Sequence, residues 1–446
     1  MVVMYRNSTI PTGAMTPMWT SWGRLLSIET PQHPFRKKPF LSTNGTILAT
    51  GNLKSYGDSC LLSNGTAFSM LFQDNILAWN PQSGRLKVEA GVLLDHILQN
   101  FVPEGWFLPV TPGTKYVSVG GAVANDIHGK NHHRVGTFGH FITSLKLLRS
   151  NGEAIVCSPS ANSNLFQATI GGLGLTGIID WVEIQLIPIK SSLMDVEWLR
   201  FEGIPEFLEL NTASSHYDYT VSWLDCTSSK KGKASAKGIY IRGRHHPDPS
   251  CLSIHKKPYL KIPFNFPDLT LNKYTIGMFN KLYYHHFPKH KKGTQHYDPF
   301  FYPLDQLIDW NLIYGKRGLY QFQCVIPFKH SLSTFQTMLD IIAASGQASF
   351  LSVLKSFGSI PSIGLLSFPE EGLTLCLDFA NQGIKTLTLL KQLDELVLAA
   401  RGRRYPAKDA TMTRNQFKQF YPNWNTFLAY KDPKISSDFW ERVSPQ

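Results

Sequence analysis

The stretch that decides the fold is FLPVTPGTKYVSVGGAVANDIHGKNHH at residues 107–133, followed by ATIGGLGLTGIIDWVEIQLIPI at residues 168–189. It places a Pro-Gly-Thr turn, a Gly-Gly pair and a second glycine cluster between segments with strand and short-helix patterns. Glycines at this density let the backbone approach a ligand where a Cβ would clash, and they turn N–H groups toward anionic oxygens. The pattern therefore predicts a site for a diphosphate.

The spacing of the glycines indicates which diphosphate cofactor to expect. A Rossmann site requires G-x-G-x-x-G directly after a strand and at the start of a helix, with an acidic residue about 20 residues further on. No stretch of the sequence satisfies that whole context. The glycines are instead spread over three turns, the first of which is GNLKSYGD at residues 51–58. These three stretches resemble the FAD-binding domain of the vanillyl-alcohol-oxidase type flavoproteins, which implies FAD as the cofactor.

Further motifs indicate one family within this group of flavoproteins. SYGD at 55–58, PGT at 112–114, GGAVANDIHGKNHH at 120–133 and GLTGII at 174–179 are similar to the decaprenylphosphoryl-ribose 2′-oxidase family. The similarity continues in YQFQCVIP at 320–327, SVLKSFG at 352–358, LCLDF at 375–379 and YPAKDATMT at 405–413. It therefore covers almost the whole chain, from about residue 22 to residue 439.

The hydrophobic pattern predicts an α+β protein rather than a doubly wound sheet. Residues 15–189 are expected to form the FAD-binding domain, with hairpins around 82–84 and 151–152 and helices over 92–101 and 164–170. Residues 190–401 alternate strands and helices without a crossover signature, which favours a substrate domain with an antiparallel sheet and helices on one face. A basic and aromatic insertion occupies about residues 256–302. The resemblance implies that residues 402–446 return to the first domain.

Composition agrees with a large enzyme. The 446 residues are 43% hydrophobic, which is ample for sizeable cores, and a net charge of +12 favours anionic partners. The six cysteines form no C-x-x-C pair, so neither a metal site nor a disulfide framework is indicated. The first 19 residues lack the apolar core of a signal peptide, and translation is expected to start at Met15 or Met18 if not at residue 1. We expect a cytoplasmic protein that is peripheral on the inner face of the cytoplasmic membrane.

The resemblance implies a set of FAD contacts that is spread over four stretches of the chain. Family members that attach the flavin covalently carry a histidine in the first glycine loop, and this sequence has Asp58 there, so FAD is expected to be non-covalent. Lys54 is expected to replace a guanidinium contact to the diphosphate. The predicted cofactor-binding residues are Lys54, Ser55, Tyr56, Gly57, Asp58, Pro112, Gly113, Thr114, Ser118, Val119, Gly120, Gly121, Asn125, His128, Gly129, Gly174, Gly177, Ile178, Ile179 and Tyr405.

The reacting groups are also predicted. Hydride leaves a carbinol carbon only as its hydroxyl loses a proton, so a base or a polarising donor must lie at that oxygen. Lys408, relayed by Tyr405, is the candidate base, and His128 is expected beside the flavin. Gln321 and Gln323 alternate on one strand and so point to the same face. The predicted substrate-binding residues are Lys130, Gln321, Gln323, Lys355, Cys376 and Lys408, with Cys376 a modifiable thiol rather than a required nucleophile.

By resemblance, the reaction is the FAD-dependent oxidation of a sugar hydroxyl, the 2′-hydroxyl of a polyprenyl-phosphate-linked pentose, to a ketone. A separate NAD(P)H-dependent short-chain reductase would then complete an epimerisation in the synthesis of cell-wall or surface polysaccharide. The alternative within the superfamily is a soluble sugar or sugar-lactone oxidase. A basic nucleic-acid-binding protein would explain the positive charge, but it would not explain three glycine turns in flavoprotein order.

Overall fold

The first domain consists of two sheets with helices packed on them. A computed structural model describes residues 18–444 except 31, 228, 231–232, 250, 256–259 and 269, so the expected start at Met15 lies outside the described residues. A three-stranded parallel sheet has the order Gln32–Pro34, Thr66–Ser69, Ile47–Thr50. A five-stranded antiparallel sheet has the order Ala154–Cys157, Ile142–Leu148, Ile178–Gln185, Arg85–Glu89, Ile76–Asn80. The helices of this domain are Lys37–Ser42, Leu94–Phe101, Val119–Ala124, His132–Val135 and Ser163–Thr169.

Both predicted hairpins and both predicted helices of this domain are present. The chain turns between Asn80 and Arg85 and again between Leu148 and Ala154. Helix Leu94–Phe101 buries Leu94, Ile97, Leu98 and Phe101, which recur at the spacing of one helical face.

The second domain is built on an eight-stranded antiparallel sheet. Its order is His290–His296, Leu193–Glu202, Lys237–His245, Tyr219–Asp225, Ser352–Phe357, Gly372–Ala380, Leu319–Ile326, Arg403–Arg404. Helices Phe328–Ser345 and Ile384–Ala399 pack against it, and Phe322 and Cys324 of one central strand join Phe335 in the hydrophobic core. Residues alternate across a strand, so Gln321 and Gln323 face the opposite side of the sheet. The predicted α+β class, with an antiparallel sheet in the second domain, is confirmed.

The described part of the insertion at about 256–302 forms regular structure. It contributes strand Leu260–Lys261, helix Lys273–His286, the edge strand His290–His296 and helix Tyr297–Phe301. The remaining elements are the helix Ile204–Ala213, the short strands Trp19–Thr20, Ser27–Ile28, Trp106–Phe107, Ile187–Pro188, Ser229–Lys230, Lys233–Ala234 and Leu307–Ile308, and the 3-10 turns Met70–Phe72, Phe138–Phe141, Pro303–Gln306, Trp310–Tyr314 and Pro406–Lys408.

The C-terminal segment packs on the first domain. Helices Arg414–Phe420, Trp424–Leu428 and Asp438–Val443 follow the last strand of the large sheet. The Ile47 amide donates to Lys434 O at 2.8 Å, and the Ser436 amide donates to Ile47 O at 3.0 Å, which extends the parallel sheet edge. Over the described residues, no helix has the length and apolar character needed to span a membrane.

Candidate active site

A cavity of about 580 Å³ lies between the two domains, within the range that cofactor and substrate sites occupy. One end is lined by the glycine turns of the first domain, and the other by three central strands of the large sheet. The predicted residues that line it are Lys54, Ser55, Tyr56, Pro112, Gly113, Thr114, Ser118, Gly120, Gly121, Asn125, His128, Gly129, Lys130, Gly174, Gly177, Ile179, Gln321, Gln323, Lys355, Cys376, Tyr405 and Lys408.

The end of the cavity that the glycine turns line, here called the glycine end, has the shape of a cradle. A Cβ built at Gly113 would meet no protein atom within 4 Å, and one at Gly121 would approach only Ser118 Oγ. At Gly174, where φ is +75°, the nearest atom would be 4.0 Å away. Protein packing therefore leaves open space at Gly113 and Gly174, which belongs to the cavity, whereas a Cβ at Gly121 would make a tight 3.1 Å contact with Ser118 Oγ. The arrangement fits a cofactor that lies directly on the backbone, as FAD requires.

Two amides of the Gly-Gly turn are used by the protein itself. Val119 N donates to Val92 O and Gly120 N donates to Ala90 O, both at 2.8 Å. Val119 and Ile178 do not line the cavity. The hydrogen bonds of Val119 N and Gly120 N thus position the turn, and the predicted cofactor contacts of these residues and of Ile178 stay predictions.

Gly57 and Asp58 also lie outside the cavity lining. A Cβ at Gly57 would be 1.5 Å from Asp409 O, so this glycine permits close packing of two chain segments. The Asp58 carboxylate accepts hydrogen bonds from Arg442 Nη2 at 2.8 Å and Nε at 3.0 Å, and Arg442 Nη2 also donates to Asp409 at 3.1 Å. Both residues thus hold the first loop against the C-terminal segment, and their predicted contacts with the cofactor stay a prediction.

Lys54 lies on the cavity wall, where its ammonium group is 3.6 Å from the centre of the Trp22 ring. Burial lowers the pKa of Lys54 to about 8, against the opposing charges of Asp305 and Asp309. Its predicted role toward the diphosphate stays a prediction.

The opposite end of the cavity is formed by side chains of neighbouring strands in the large sheet. Gln321 stands opposite Asp378 and Gln323 opposite Cys376 on neighbouring antiparallel strands, and Lys355 stands opposite Thr374 on the next pair. Because alternate residues share a face, these side chains form rows on one surface of the sheet. Gln321 and Gln323 both line the cavity, as the alternation predicted.

His128 is held at the centre of this surface. Lys355 Nζ lies 2.8 Å from His128 Nδ1, and Gln323 Nε2 lies 3.1 Å from His128 Nε2. Burial, together with the charges of Lys355, His132 and Lys408, holds the pKa of His128 well below its usual range. The imidazole is therefore neutral at physiological pH, and it orients Lys355.

Three lysines enter the same end of the cavity. Burial lowers the pKa of Lys130 to about 8 and that of Lys355 to about 7, and it also lowers the pKa of Lys408 against the charges of Cys376 and Asp378. Lys355 Nζ donates to Gly129 O at 3.1 Å, and Lys130 Nζ donates to Phe301 O at 3.2 Å. Enclosed lysines with depressed pKa values can bind an anion in the charged form or accept a proton in the neutral form.

The predicted relay through Tyr405 is not supported by the position of its hydroxyl group. Tyr405 Oη donates to Asn125 O at 3.0 Å, and its ring stacks on Phe368 at 4.6 Å. Burial raises the pKa of the phenol further, so it keeps its proton. Lys408 instead lies 4.0 Å from the Tyr56 ring centre. Tyr405 thus forms a wall of the cavity and positions the Asn125 loop.

Sequence reasoning missed Asp378. Gln321 Nε2 donates to Asp378 Oδ1, while Asp378 Oδ2 and Gln321 Oε1 are buried with no hydrogen-bond partner among the described residues. Burial raises the pKa of Asp378, and Lys408 opposes that shift. The available signal was the two-residue spacing from Cys376, which places both side chains on one face of a strand. Asp378 lies behind the cavity wall; the residues that line the cavity and were missed include Asn52, Thr111, Asp305, Trp310, Val353 and Thr374.

Comparison with known proteins agrees with this geometry. Residues 40–158 match the family model for an FAD binding domain. The chain is 33% identical over 414 residues to decaprenylphosphoryl-beta-D-ribose oxidase of Mycolicibacterium smegmatis, and the match covers 89% of each chain. It is 29% identical over 375 residues to an uncharacterized protein of Streptomyces coelicolor, covering 79% of this chain and all of that one. Human Delta(24)-sterol reductase is 31% identical over 130 residues, which span 29% of this chain and 24% of the reductase.

The last of these matches is confined to part of the chain, whereas the mycobacterial match runs through both domains. The mycobacterial match therefore includes the glycine turns at one end of the cavity. It also includes the strands at the opposite end, which we call the lysine end because Lys130, Lys355 and Lys408 lie there. FAD is the cofactor, and the protein is an oxidoreductase that acts on a CH–OH group. The chain belongs to the decaprenylphosphoryl-beta-D-ribose oxidase family of FAD-dependent enzymes.

Proposed function

We propose that the protein oxidises the 2′-hydroxyl of a pentose linked to a polyprenyl phosphate, and that the product is the 2′-ketone. The observation that carries this substrate class is the convergence of Lys130 and Lys355 on the end of the cavity where Lys408 lies. Ammonium groups enclosed in protein are costly unless an anion pairs with them. A phosphodiester supplies that anion, and a free sugar does not.

The proton chemistry assigns a role to Lys408. The bound flavin supplies the two-electron oxidant for the carbinol carbon. Burial lowers the pKa of Lys408, which favours the neutral amine that can accept the hydroxyl proton. Asp378, near Lys408 behind the cavity wall, favours the charged lysine that results. Gln323 and His128, which contact each other at 3.1 Å, both line this end of the cavity, where they would form the wall against the sugar.

The rim of the cavity suits a lipid chain. Leu304, Leu307, Ile308 and Trp310 line it on one side. These side chains give the polyprenyl tail an apolar path out of the site, whereas a soluble sugar would need none. We infer that the enzyme is peripheral on the cytoplasmic membrane, where such a substrate resides.

Epimerisation needs a second enzyme. Restoring the opposite configuration at the ketone requires reduction, and the sequence has no nicotinamide-binding fingerprint. We propose that a separate NAD(P)H-dependent short-chain reductase takes the product.

Anaerobic single-turnover reduction tests the proposal. Polyprenyl-phosphoryl ribose with a short prenyl chain should bleach the visible flavin absorbance, and trapping the product with borodeuteride should place deuterium at C2 of the sugar. Free ribose and sugar lactones serve as matched controls. If they reduce the flavin as fast as the phosphodiester does, the protein is a soluble sugar or lactone oxidase and the proposal is wrong.

A further inference from the structure

Helix Lys273–His286 of the insertion has a buried face and, on its other side, an exposed apolar face. Ile276, Asn280 and Tyr284, spaced by four residues, are buried against the domain. Tyr274, Met278 and Leu282, also spaced by four and on the opposite side, are 75%, 63% and 66% exposed. A helix on the surface of a globular domain normally presents polar residues to water on its outer face. We call these three residues the outer stripe.

The helix that carries the outer stripe is connected to the cavity by ring contacts. Phe279, on the same helix, lies 5.9 Å from the Phe350 ring, which stacks on Tyr314 at 5.6 Å. Tyr314 in turn lies 6.3 Å from Trp310, which lines the cavity. The helix is therefore packed beside the cavity wall rather than at a remote place on the domain.

Further exposed apolar side chains lie near the mouth of the cavity. Leu260, which is 71% exposed, belongs to the short strand that pairs with Leu307–Ile308, and Ile308 is 41% exposed and lines the cavity. Phe264, on the following turn, is 62% exposed. Single exposed apolar residues are ordinary, but a group that joins a helix face to a cavity mouth indicates an interaction surface.

The positive charge around the outer stripe indicates an anionic partner. Residues 270–297 contain five lysines and neither aspartate nor glutamate. Lys273 and Lys281 are exposed and lie on the row directly beside the outer stripe. Of the lysines on the edge strand, Lys292 pairs with Glu197 at 2.9 Å and Lys291 lies over the Trp198 ring, so these two also have roles within the sheet. Lysines beside an apolar helix face are typical of segments that lie in the interface of an anionic bilayer.

We propose that the outer stripe and the flanking Lys273 and Lys281 dock this protein on an anionic lipid surface, with the apolar cavity mouth facing the bilayer. The helix has 14 residues and would lie flat in the headgroup region. The inference rests on the proposed function only in that a lipid-linked substrate gives the docked orientation its purpose.

Vesicle binding of the FAD-loaded enzyme tests the surface. The variant Tyr274→Ser/Met278→Ser/Leu282→Ser should bind phosphatidylcholine–phosphatidylglycerol vesicles at least ~10-fold more weakly than the unmodified protein, because its buried apolar area in the interface is lost. The variant Lys273→Glu/Lys281→Glu should lose a similar factor, and more at low salt than at high salt. The matched control Leu332→Ser/Ile384→Ser/Leu387→Ser removes exposed apolar residues from two other helices and should bind as the unmodified protein does.

The outcomes separate docking from catalysis. All variants should keep their FAD and be reduced normally by a short-chain, water-soluble phosphoryl-ribose, so failure of that reaction in the unmodified protein would count against the proposed function alone. Equal vesicle binding by the stripe variant and the control would overturn the docking surface. It would also be overturned if the unmodified protein bound no vesicles and the stripe variant changed its oligomeric state or its binding to a reductase, since a protein partner would then cover the helix.

Discussion

The two ends of the cavity are built in opposite ways. The glycine end comes from short turns, each formed by a few neighbouring residues, and its shape depends on side chains that are missing, at Gly113 and Gly174 above all. The lysine end comes from side chains on separate strands of the large sheet, and its chemistry depends on the register that brings them together, as for Lys355 and Cys376. A backbone site is visible as a motif, whereas a side-chain site becomes visible only when the order and register of the strands are known.

Removing the amine at the lysine end should have the largest effect. In Lys408→Ala, flavin reduction by the lipid-linked substrate should slow by at least ~10²-fold, the low end of general acid–base contributions, while FAD content stays normal. Stopped-flow absorbance measures the rate. Lys146→Ala is the matched control, because Lys146 pairs with Asp180 at 3.1 Å outside the cavity. Unchanged single-turnover reduction in Lys408→Ala would remove Lys408 from the mechanism.

Filling the glycine end should affect the cofactor rather than the reaction. In Gly113→Val the new side chain would occupy the space of the cradle, and FAD affinity should fall by ~30-fold, equivalent to about 2 kcal/mol of overpacking. Fluorescence titration of the apoprotein measures this affinity. Gly277→Ala, where the nearest atom to the added Cβ is 3.7 Å away, should leave FAD affinity unchanged. Equal FAD affinity in Gly113→Val and the unmodified protein would show that the cofactor does not lie on this turn.

The lysine end should also respond to pH. Burial lowers the pKa of Lys355 to about 7 and that of Lys130 to about 8, and only the protonated lysines attract a phosphodiester. Affinity for a phosphorylated substrate analogue should therefore be greatest below pH 7 and should fall as pH rises, with a slope that approaches ~10-fold per pH unit for each lysine. Calorimetric titration from pH 6 to 9 measures the slope. In Lys355→Met the decline should begin only near pH 8, and a pH-independent affinity in the unmodified protein would contradict the assignment.

The smallest effect is expected at Cys376, which lies in the same rows of side chains. Burial raises the pKa of its thiol to about 12, so the group is a neutral, weakly polar wall of the cavity at physiological pH. Cys376→Ser should change the rate of flavin reduction by less than ~3-fold, as expected for a near-isosteric replacement that removes no proton acceptor. The same stopped-flow assay applies. A loss as large as that of Lys408→Ala would give the thiol a direct part in the reaction.

The sequence allowed prediction of the class of fold, the glycine turns and the shared face of Gln321 and Gln323, because each depends on neighbouring residues. It did not allow prediction of Asp378 as part of the site, because the pairing of Gln321 with Asp378 follows from strand order in the sheet. The protein partner of Asp58 could not be predicted for a related reason. An acidic residue in a glycine loop indicates a ligand contact, but its actual partner, Arg442, is 384 residues further along the chain.

That distant partner has a consequence for how the enzyme is made. Arg442 joins Asp58 of the first cofactor loop to Asp409, which follows Lys408 directly. During synthesis on the ribosome, the first domain emerges long before Arg442 does, and until then the loop lacks the cation that neutralises its buried carboxylate. Vectorial folding can thus form the sheets of the first domain early, but the cofactor loop closes last. Flavin loading is therefore expected to wait until Arg442 has left the ribosome, and a ribosome stalled anywhere before residue 442 would carry a first domain without its closed loop.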